Sequence, residues 1–378
     1  GLVATLVVLP NYFHSKAGTG SGLVQRTSSL DEGIPKMWDI REAKEGQAGL
    51  ASLRERSGRN EALVTDLRVG FKRGEEALRQ RMPSVKIEYN HDIQIPEVIS
   101  PDVYKARIEW LTPPSNAKRS DILRNFVKEN EELVGVTSRQ VDDLVTVADY
   151  TNPDGVLSYA NLQQRINGIE VFRGEVKAGF RQDGSIIRVI NNLAPGIDYG
   201  SVSTEFGDPV AAVGIAANHI RHQLRTEDTA YNKIESTDLR VVFGSGDWAT
   251  TAEKMYFPTE PGVAVPAWRV LIWQPVNAYY VIVDAQTGIV LWHKNIVDDQ
   301  TAAATYQVYT NPNAYTNFAD GVAPLTPYGG PTSDPGAGTQ GALISRNNVT
   351  LIGNEGPLSF NNNGWINDAT NLTDGNNV

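Results

Sequence analysis

Histidine is the first residue type to consider for catalysis or metal binding, because its imidazole titrates near neutral pH and binds metals. The chain contains five histidines: His14, His91, His219, His222 and His293. A zinc-binding His-Glu-x-x-His helix places two imidazoles on one face, with a glutamate base beside the metal-bound water. His219 and His222 stand three positions apart instead, with no glutamate between them. We interpret them as polar residues near the C-terminal end of an amphipathic helix, where an imidazolium is favoured. No metal ligand or catalytic residue is therefore predicted in this chain.

Acidic pairs and a glycine-rich loop are the other candidates for chemistry. Neighbouring residues on a helix or strand do not face each other, so adjacent carboxylates make poor acid/base pairs and are interpreted as solvated faces. The loop Gly244-Ser245-Gly246 has no crossover helix after it that could receive a phosphate, so a hairpin turn is predicted there. The acidic pairs are Glu75-Glu76, Glu131-Glu132, Asp142-Asp143 and Asp298-Asp299.

Composition places the chain among soluble globular proteins with two or three domains. It has 378 residues, of which 40% are hydrophobic and 21% are charged. The net charge of −10 gives nucleic-acid binding no electrostatic help, so no nucleic-acid partner is predicted. The chain has no cysteine, which excludes disulfide scaffolds, thiol catalysis and cysteine-based zinc sites.

The N-terminal residues form a short apolar run. Residues 1–10 (GLVATLVVLP) are too few to span a bilayer but match the core of a signal peptide; a buried strand is the alternative. Residues 1–30 are therefore predicted to be a partial signal peptide and leader of a secreted, extracellular protein. No other segment approaches the roughly 18 apolar residues that a spanning helix needs, so no stable membrane span is expected.

Residues 31–112 are predicted to form a helical N-terminal segment. Leu63, Leu67 and Phe71 recur at helical spacing, and residues 57–60 (SGRN) divide the helix in two. Four prolines between positions 96 and 114 indicate an extended, irregular connector.

Residues 118–200 are predicted to form a helix followed by an antiparallel meander. Ser120-Asp121 is the expected helix N-cap, and Thr137-Ser138 caps a further short turn of helix. Strands are predicted over residues 157–166, 169–180 and 185–189. Asn167-Gly168 and Asp183-Gly184 separate them, and these dipeptides suit turns that need positive φ. Gly168 and Gly184 are therefore assigned as structural turns.

Residues 204–297 repeat the pattern of a helix followed by strands. Asp208-Pro209 is an N-cap with proline at the first helical position, and the apolar positions Val210, Val213, Ala217, Ile220 and Leu224 follow. Strands are predicted over residues 239–243 and 268–273. A hairpin joins residues 279–283 to 289–292, with Gly288 as its structural turn. The predicted fold class is thus α+β, with two helix-plus-antiparallel-sheet units.

Residues 298–378 have a different character, rich in Asn, Gly, Pro and Thr. They are interpreted as a processing linker and the start of a further domain that the chain does not complete. Asn and Asp side chains near residues 361–374 make calcium binding possible, although the spacing of a calcium loop is missing. The candidate processing linker consists of Asp298, Asp299, Gln300, Thr301, Ala302, Ala303 and Ala304.

Several of these motifs together resemble a known family. The helix at residues 122–126, the strands at residues 157–172 and the turn at residues 183–186 resemble the fungalysin/thermolysin propeptide domain. Residues 206–297 resemble the PepSY-like unit that often follows it, with residues 281–290 (VIVDAQTGIV) as the hallmark. The last residues, 373–378, look like an early part of a fungalysin peptidase domain.

The resemblance implies a pro-region of a secreted zinc metalloendopeptidase, truncated before the catalytic domain. Such a pro-region would inhibit its cognate peptidase domain intramolecularly and assist the folding of that domain. No cofactor is implied in this chain, and zinc is expected in the missing peptidase domain. The parent's His-Glu-x-x-His helix is absent from the sequence, so no catalytic residue is transferred.

Two alternatives remain open at this point. One is a non-enzymatic secreted binding module, which would recognise a protein by strand addition or a carbohydrate by exposed Trp and Tyr. The other is a complete enzyme with an unrecognised site, which the scarcity of histidine disfavours.

Overall fold

The computed structural model describes residues 34–105, 108–152, 157–274 and 277–296, together with two short strands near the C-terminus. Residues 34–297 form one compact unit, and the two short strands belong to a second. The described helices are α1 Gln47–Arg56, α2 Glu61–Arg81, α3 Arg119–Glu129, α4 Glu131–Val134, α5 Ser138–Asp142 and α6 Pro209–His219. Two 3₁₀ turns lie at Lys44–Gly46 and Thr226–Thr229.

Twelve described strands form one mixed sheet in the first unit. They are β1 Met37–Asp39, β2 Lys86–Tyr89, β3 Pro96–Ser100, β4 Val145–Thr151, β5 Leu157–Ile166, β6 Ile169–Arg181, β7 Ile186–Asn191, β8 Arg240–Phe243, β9 Thr250–Glu260, β10 Val263–Trp273, β11 Ala278–Asp284 and β12 Val290–Asn295. In the second unit β13 Thr305–Val308 pairs antiparallel with β14 Asn347–Thr350. The predicted α+β class is confirmed.

The sheet joins the two predicted helix-plus-strand units. Its order is β1-β12-β11-β10-β9-β6-β7-β3-β2, with β4 paired to β5, β5 to β6, and β8 to β9. The pairs are antiparallel except for β6 with β9, which run parallel where Glu170 and Val171 lie opposite Met255 and Tyr256. This short parallel pairing connects the β4–β7 half of the sheet to the β9–β12 half.

The two halves of the sheet are covered differently. In β10, Val265 and Ala267 pack into the cluster that contains Leu50 and Leu53 of α1, whereas Trp268 and Val270 pack into the cluster of α6. Successive strand residues point to opposite faces, so this half is covered on both sides. The β5–β7 half packs one face against α3, and the alternate residues of its strands remain part-exposed or exposed.

Several predicted boundaries are confirmed by local contacts. The helix break at residues 57–60 separates α1 from α2, and the Asn60 side chain caps α2 by accepting from the Leu63 amide. Asp208 caps α6 with Pro209 in its first turn. Thr137 and Gln140 form a reciprocal capping box on α5. The loop at residues 244–246 connects the antiparallel strands β8 and β9, as predicted.

Other predictions about elements are wrong. The helix predicted to be capped at Ser120-Asp121 begins at Arg119, and its N-cap, Lys118, makes no side-chain cap. Ser120 is buried and donates its hydroxyl to Asp149 of β4 instead, at 2.6 Å. The predicted irregular connector contributes β3, because Val98 and Ile99 find backbone partners in β7, and β2, which pairs with β3, lies just before this connector. On α6, Val210 is exposed, and Leu224 lies beyond the end of the helix.

Candidate functional site

The turn between β5 and β6 is the local signature of the meander. Asn167 and Gly168 have φ of 52° and 83°, the left-handed values that the sequence pattern requires. A Cβ on Gly168 would meet nothing within 4 Å, so the backbone conformation is what selects glycine here. The Asn167 amide donates to the Tyr199 carbonyl at 3.3 Å, which links the turn to the segment after β7.

The turns at Gly184 and Gly288 also demand close backbone approach. Both residues have positive φ, 84° and 73°. A Cβ on Gly184 would lie 1.9 Å from the Ser115 carbonyl oxygen, and one on Gly288 would lie 2.5 Å from a methyl group of Ile215 on α6. Gly184 therefore fits the preceding connector against β7, and Gly288 fits the β11–β12 hairpin against α6.

The other predicted candidates lie outside the described residues. These are the processing linker (Asp298, Asp299, Gln300, Thr301, Ala302, Ala303 and Ala304), the Asn- and Asp-rich segment considered for calcium, and His14. Within the described part of the chain, no group of three or more His, Cys, Asp or Glu side chains is arranged to hold a metal ion. No described helix is long and apolar enough to cross a membrane.

Strand β4 forms an exposed apolar edge of the sheet. It pairs with β5 on one side, and no described strand pairs with its other side. Val147 is 48% exposed and Tyr150 is 55% exposed, beside the exposed side chains of Val145 and Leu157. A β-bulge at Val147, between Thr146 and Ala148, interrupts the register with β5. An apolar edge with unpaired backbone groups is the surface to which another strand can add.

The open face of the meander continues from this edge. Tyr150 lies opposite Tyr159 of β5, with ring centroids 5.6 Å apart, and Tyr159 lies opposite Gly179 of β6. Gly179 in turn lies opposite Arg188 of β7, and no described atom lies within 4 Å of the position of a Cβ on Gly179. An aromatic pair, a glycine and an exposed arginine thus form one row across the four strands. We call β4 and this row the meander surface.

Contacts with α3 hold β4 in place. The Asp149 carboxylate accepts from both the amide and the hydroxyl of Ser120, at 3.1 and 2.6 Å. Arg124 donates to the Leu144 carbonyl at 2.8 Å and to the Thr146 hydroxyl at 3.0 Å. The edge strand is therefore fixed from the covered side of the sheet while its outer side stays open.

A wide cleft lies beside α2, and neither of the two hydroxyl groups in its described lining is free to act as a nucleophile. It has a volume of about 930 Å³ and lies between α2, the α4–α5 region and residues 196–200. Its two hydroxyl groups are engaged in structure, because Thr137 caps α5 and the Tyr199 hydroxyl accepts from Gln164 at 2.9 Å. Burial raises the pKa of Tyr199, so this phenol is also no candidate base.

The histidines lie in places that the sequence did not indicate. His219 is the last residue of α6, as expected, but its Nε2 lies 2.7 Å from Nδ1 of His293 on β12. His222 lies beyond the helix and contacts the buried Asp228 at 3.1 Å. The two residues predicted as neighbours at a helix end therefore belong to separate clusters. His219 and its partner His293 are 74 positions apart in the sequence, and His222 and its partner Asp228 are 6 apart. No local spacing in the sequence indicates the longer-range pair.

Comparison with known proteins supports a pro-region. Residues 142–193, from the end of α5 to just beyond β7, match the Fungalysin/Thermolysin Propeptide Motif. Over 203 residues, or 52% of this chain, the sequence is 25% identical to "Extracellular metalloproteinase NpIII" of Aspergillus oryzae. The matched region covers 31% of that protein, so the chain spans about a third of this relative.

One solved structure adds a weaker likeness. The Bacillus megaterium YpeB C-terminal domain is similar over 57% of this chain and 77% of its own length, with 10% identity and a TM-score of 0.25. The predicted resemblance to a fungalysin-type pro-region is confirmed by the propeptide motif and by the metalloproteinase relative.

Proposed function

We propose that this chain, which carries the propeptide motif of fungalysin-type metalloproteinases, inhibits and helps to fold a peptidase domain on the same polypeptide. The observation that carries the proposal is the position of the motif: residues 142–193 build the half of the sheet whose outer face and β4 edge are open. The peptidase would be exported and would hold the catalytic zinc with its own residues. The PepSY-like unit at residues 204–297 remains a prediction within this proposal.

The meander surface supports an inhibitory contact. A strand added to β4 would pair its backbone groups while Val147 and Tyr150 supply apolar contacts that are otherwise solvated. The β9–β12 half has helices on both faces and is less suited to cover a cleft. A preformed sheet can also template structure that forms slowly in a partner, which is the basis of the proposed chaperone role.

Ion pairs connect the N-terminal helical segment to the β9–β12 half of the sheet. Glu260 at the end of β9 accepts from Arg59 at 2.5 Å, and Asp284 at the end of β11 accepts from Arg56 at 3.0 Å. Both carboxylates are buried while the two arginines are about a third exposed, so salt screens these pairs less than it would screen a fully exposed pair. We infer that α1 and α2 brace the sheet from one side and leave the meander surface available.

The test is inhibition in trans. The whole chain is titrated against the active mature peptidase of the same gene, and hydrolysis of a peptide substrate is followed. We expect inhibition at micromolar concentration or below, together with a higher yield when the denatured peptidase is refolded beside the chain. Full peptidase activity at a large molar excess of chain would exclude the inhibitory role, and an unchanged refolding yield would exclude the chaperone role.

One observation favours a secreted binding module as the second candidate. Trp248 is 66% exposed and meets Trp273 edge to face, with ring centroids 4.9 Å apart. An exposed indole pair is suited to stacking against a sugar ring or another apolar partner. Titration of the chain with oligosaccharides, monitored by tryptophan fluorescence, would separate the candidates, since a Trp248→Ala change would abolish binding there and leave inhibition in trans intact.

A further inference from the structure

A pair of histidines, of which His293 is buried and His219 is half-buried, joins three distant segments of the chain. His293 of β12 is 1% exposed, and its Nδ1 lies 2.7 Å from Nε2 of His219 at the end of α6. Nε2 of His293 lies 2.8 Å from the Pro35 carbonyl oxygen. Trp38 of β1 stacks on the His293 ring at 6.2 Å and 11° and lies 6.0 Å from the His219 ring. The pair therefore holds β1 and α6 against β12.

The hydrogen bonds define the protons on both rings. A carbonyl oxygen only accepts, so His293 carries its proton on Nε2 and presents a lone pair on Nδ1. His219 must then donate its Nε2 proton to that lone pair. One further proton can enter at Nδ1 of His219 without breaking either bond. A second would occupy Nδ1 of His293, where it would point at the His219 N–H only 2.7 Å away.

In the part of the chain that the structure describes, no carboxylate contacts either imidazole. Burial, followed by the neighbouring His293, lowers the pKa of His219 to about 4. Burial also lowers the pKa of His293, and the Pro35 carbonyl opposes that shift in part. The ring centroid of Tyr279 on β11 lies 6.3 Å from that of His293. The Glu45 carboxylate accepts a hydrogen bond from the Trp38 indole N–H at 3.0 Å. The charged residues nearest along the chain to the two histidines, Arg221 and Lys294, are cationic, whereas Asp39 beside Trp38 is paired with Arg41.

The pair lies at the end of the last strand of this unit. Trp38 lies opposite His293 in the β1–β12 pairing, and the Asn295 amide donates to the Lys36 carbonyl at 2.8 Å. β12 ends at Asn295, three residues before the predicted processing linker begins at Asp298. If β1 separates from β12, the backbone of this last strand loses its cover on one edge.

We propose that His219 and His293 form an acid-sensitive latch, which holds β1 and α6 on β12 at neutral pH and opens when both rings are protonated. Opening exposes the end of β12 to proteolysis, so processing after this strand is faster in acid. The processing role rests on the proposed pro-region function, whereas the latch itself does not.

The direction of the pH dependence follows from the two lowered pKa values. An exposed histidine has a pKa of about 6.5, so between about pH 6.5 and pH 4 the open form binds more protons than the closed form. The closed form is therefore most stable relative to the open form above about pH 6.5, and this stability is progressively lost as the pH falls toward 4. Each proton taken up on opening changes the closed-to-open ratio by about tenfold per pH unit within this window.

The experiment is limited proteolysis of the whole chain between about pH 7.5 and pH 4.5. Rates are normalised to an unfolded substrate at each pH, and fragments are mapped by mass spectrometry. We expect cleavage just after β12 to rise at least about tenfold from pH 7 to pH 5. His219→Gln and His293→Gln should flatten this profile, whereas His91→Gln, at an exposed histidine, should leave it unchanged.

Nuclear magnetic resonance of the unaltered chain provides a readout that does not depend on folding of the variants. The Cε1 protons of His219 and His293 should titrate below the value of about 6.5 that an exposed imidazole has, and the two titrations should be coupled. A cleavage profile without pH dependence, an equal effect of His91→Gln, or a pKa near 6.5 for His293 would each overturn the latch. The cognate peptidase is not used in these measurements, so their failure would leave the proposed inhibition untouched, and failure of inhibition would leave the latch intact.

Discussion

At Gly168 and Gly184, two hairpin turns need glycine for different reasons. Both backbones are left-handed, but Gly168 has open space where a Cβ would be, and Gly184 has the Ser115 carbonyl oxygen 1.9 Å from that position. A substitution at Gly168 therefore costs backbone strain alone. At Gly184 it also displaces the connector that leads into α3.

We expect Gly168→Val to lower the free energy of unfolding by about 1–3 kcal/mol, because a β-branched residue resists positive φ. Gly168→Asn is the matched control, since asparagine tolerates this conformation at a smaller cost. Gly184→Ala should cost more than Gly168→Ala because of the clash. Urea unfolding followed by circular dichroism measures all four; an unchanged midpoint for Gly168→Val would show that the turn does not define the register of β5 and β6.

A second residue with a specific electrostatic role is Asp228. It accepts from Arg225 and from the hydroxyl of Thr250, the first residue of β9, at 2.8 and 3.0 Å. Burial alone would raise the pKa of Asp228, but hydrogen bonds from Arg225, His222 and Thr250 outweigh burial and hold that pKa well below its usual range. The carboxylate therefore ties the segment after α6 to the sheet.

We expect Asp228→Asn to lower the free energy of unfolding at pH 7 by about 1.5–3 kcal/mol, since hydrogen bonds to a charged group are lost. Because the folded-state pKa is lowered, the contribution of Asp228 is present above the unfolded value of about 3.9 and is lost as the pH falls below it. The difference between the two proteins should therefore shrink in urea unfolding at strongly acidic pH. Asp238→Asn, at an exposed position, is the control; an equal loss there would remove the specific role of Asp228.

Among the elements, β4 is the strand whose surroundings suggest a partner. Its covered side is fixed by Ser120 and Arg124 of α3, and its outer side carries Val147 and Tyr150 in solvent. A lysine at the bulged position would keep the strand folded but would disfavour addition of another strand. A substitution on β4 can therefore change binding of the peptidase without changing the folding stability of the chain.

We expect Val147→Lys to weaken inhibition of the peptidase in trans by at least about tenfold, or about 1.4 kcal/mol of binding free energy. The thermal midpoint of the chain should stay unchanged, because Val147 is 48% exposed. Ile234→Lys is the matched control, since Ile234 is 96% exposed and lies outside the meander surface. If both variants inhibit like the unaltered chain, the peptidase does not dock on β4.

Elements with strong local patterns were predictable from the sequence. The predicted bounds of β5 match the structure, because its apolar residues alternate and Asn-Gly follows it. Strand β9 was missed because nearly all of its side chains are buried on both faces, so it shows no alternation, and it contains Pro258. Strand β3 was missed because it begins at Pro96 and reads as a connector until β7 pairs with it.

At the scale of the whole molecule, the contacts that join the separate helix-plus-strand units into one sheet connect residues far apart in the sequence. The parallel pairing of β6 with β9 joins two units that each look self-contained in sequence, and β1 adds a strand from the N-terminal segment to β12. The His219–His293 pair depends on this assembly of the sheet, because α6 and β12 meet only in the folded unit. No local periodicity encodes such contacts, whereas the propeptide signature lies within one continuous stretch and was recognised.

The last prediction concerns where the parent protein is cut. We expect maturation to cleave between Asn295 and Asn311, because β12 ends at Asn295 and β13 begins at Thr305. The sequence between them includes Asp298, Asp299 and three alanines, a small and polar stretch without periodicity that suits a protease. Cleavage within β12 would first require its pairing with β11 and β1 to break, and the intact latch opposes this.

N-terminal sequencing of the secreted mature enzyme measures the cleavage position directly. As a control, replacing residues 298–304 by a proline-rich stretch of equal length should slow maturation, because proline at the scissile position is poorly accepted, whereas a glycine- and serine-rich stretch of the same length should leave the rate unchanged. A mature N-terminus before Trp268 or after Asn347 would place the boundary elsewhere. The pro-region would then end inside the sheet or beyond β13, and the latch at His293 could not govern access to the cut.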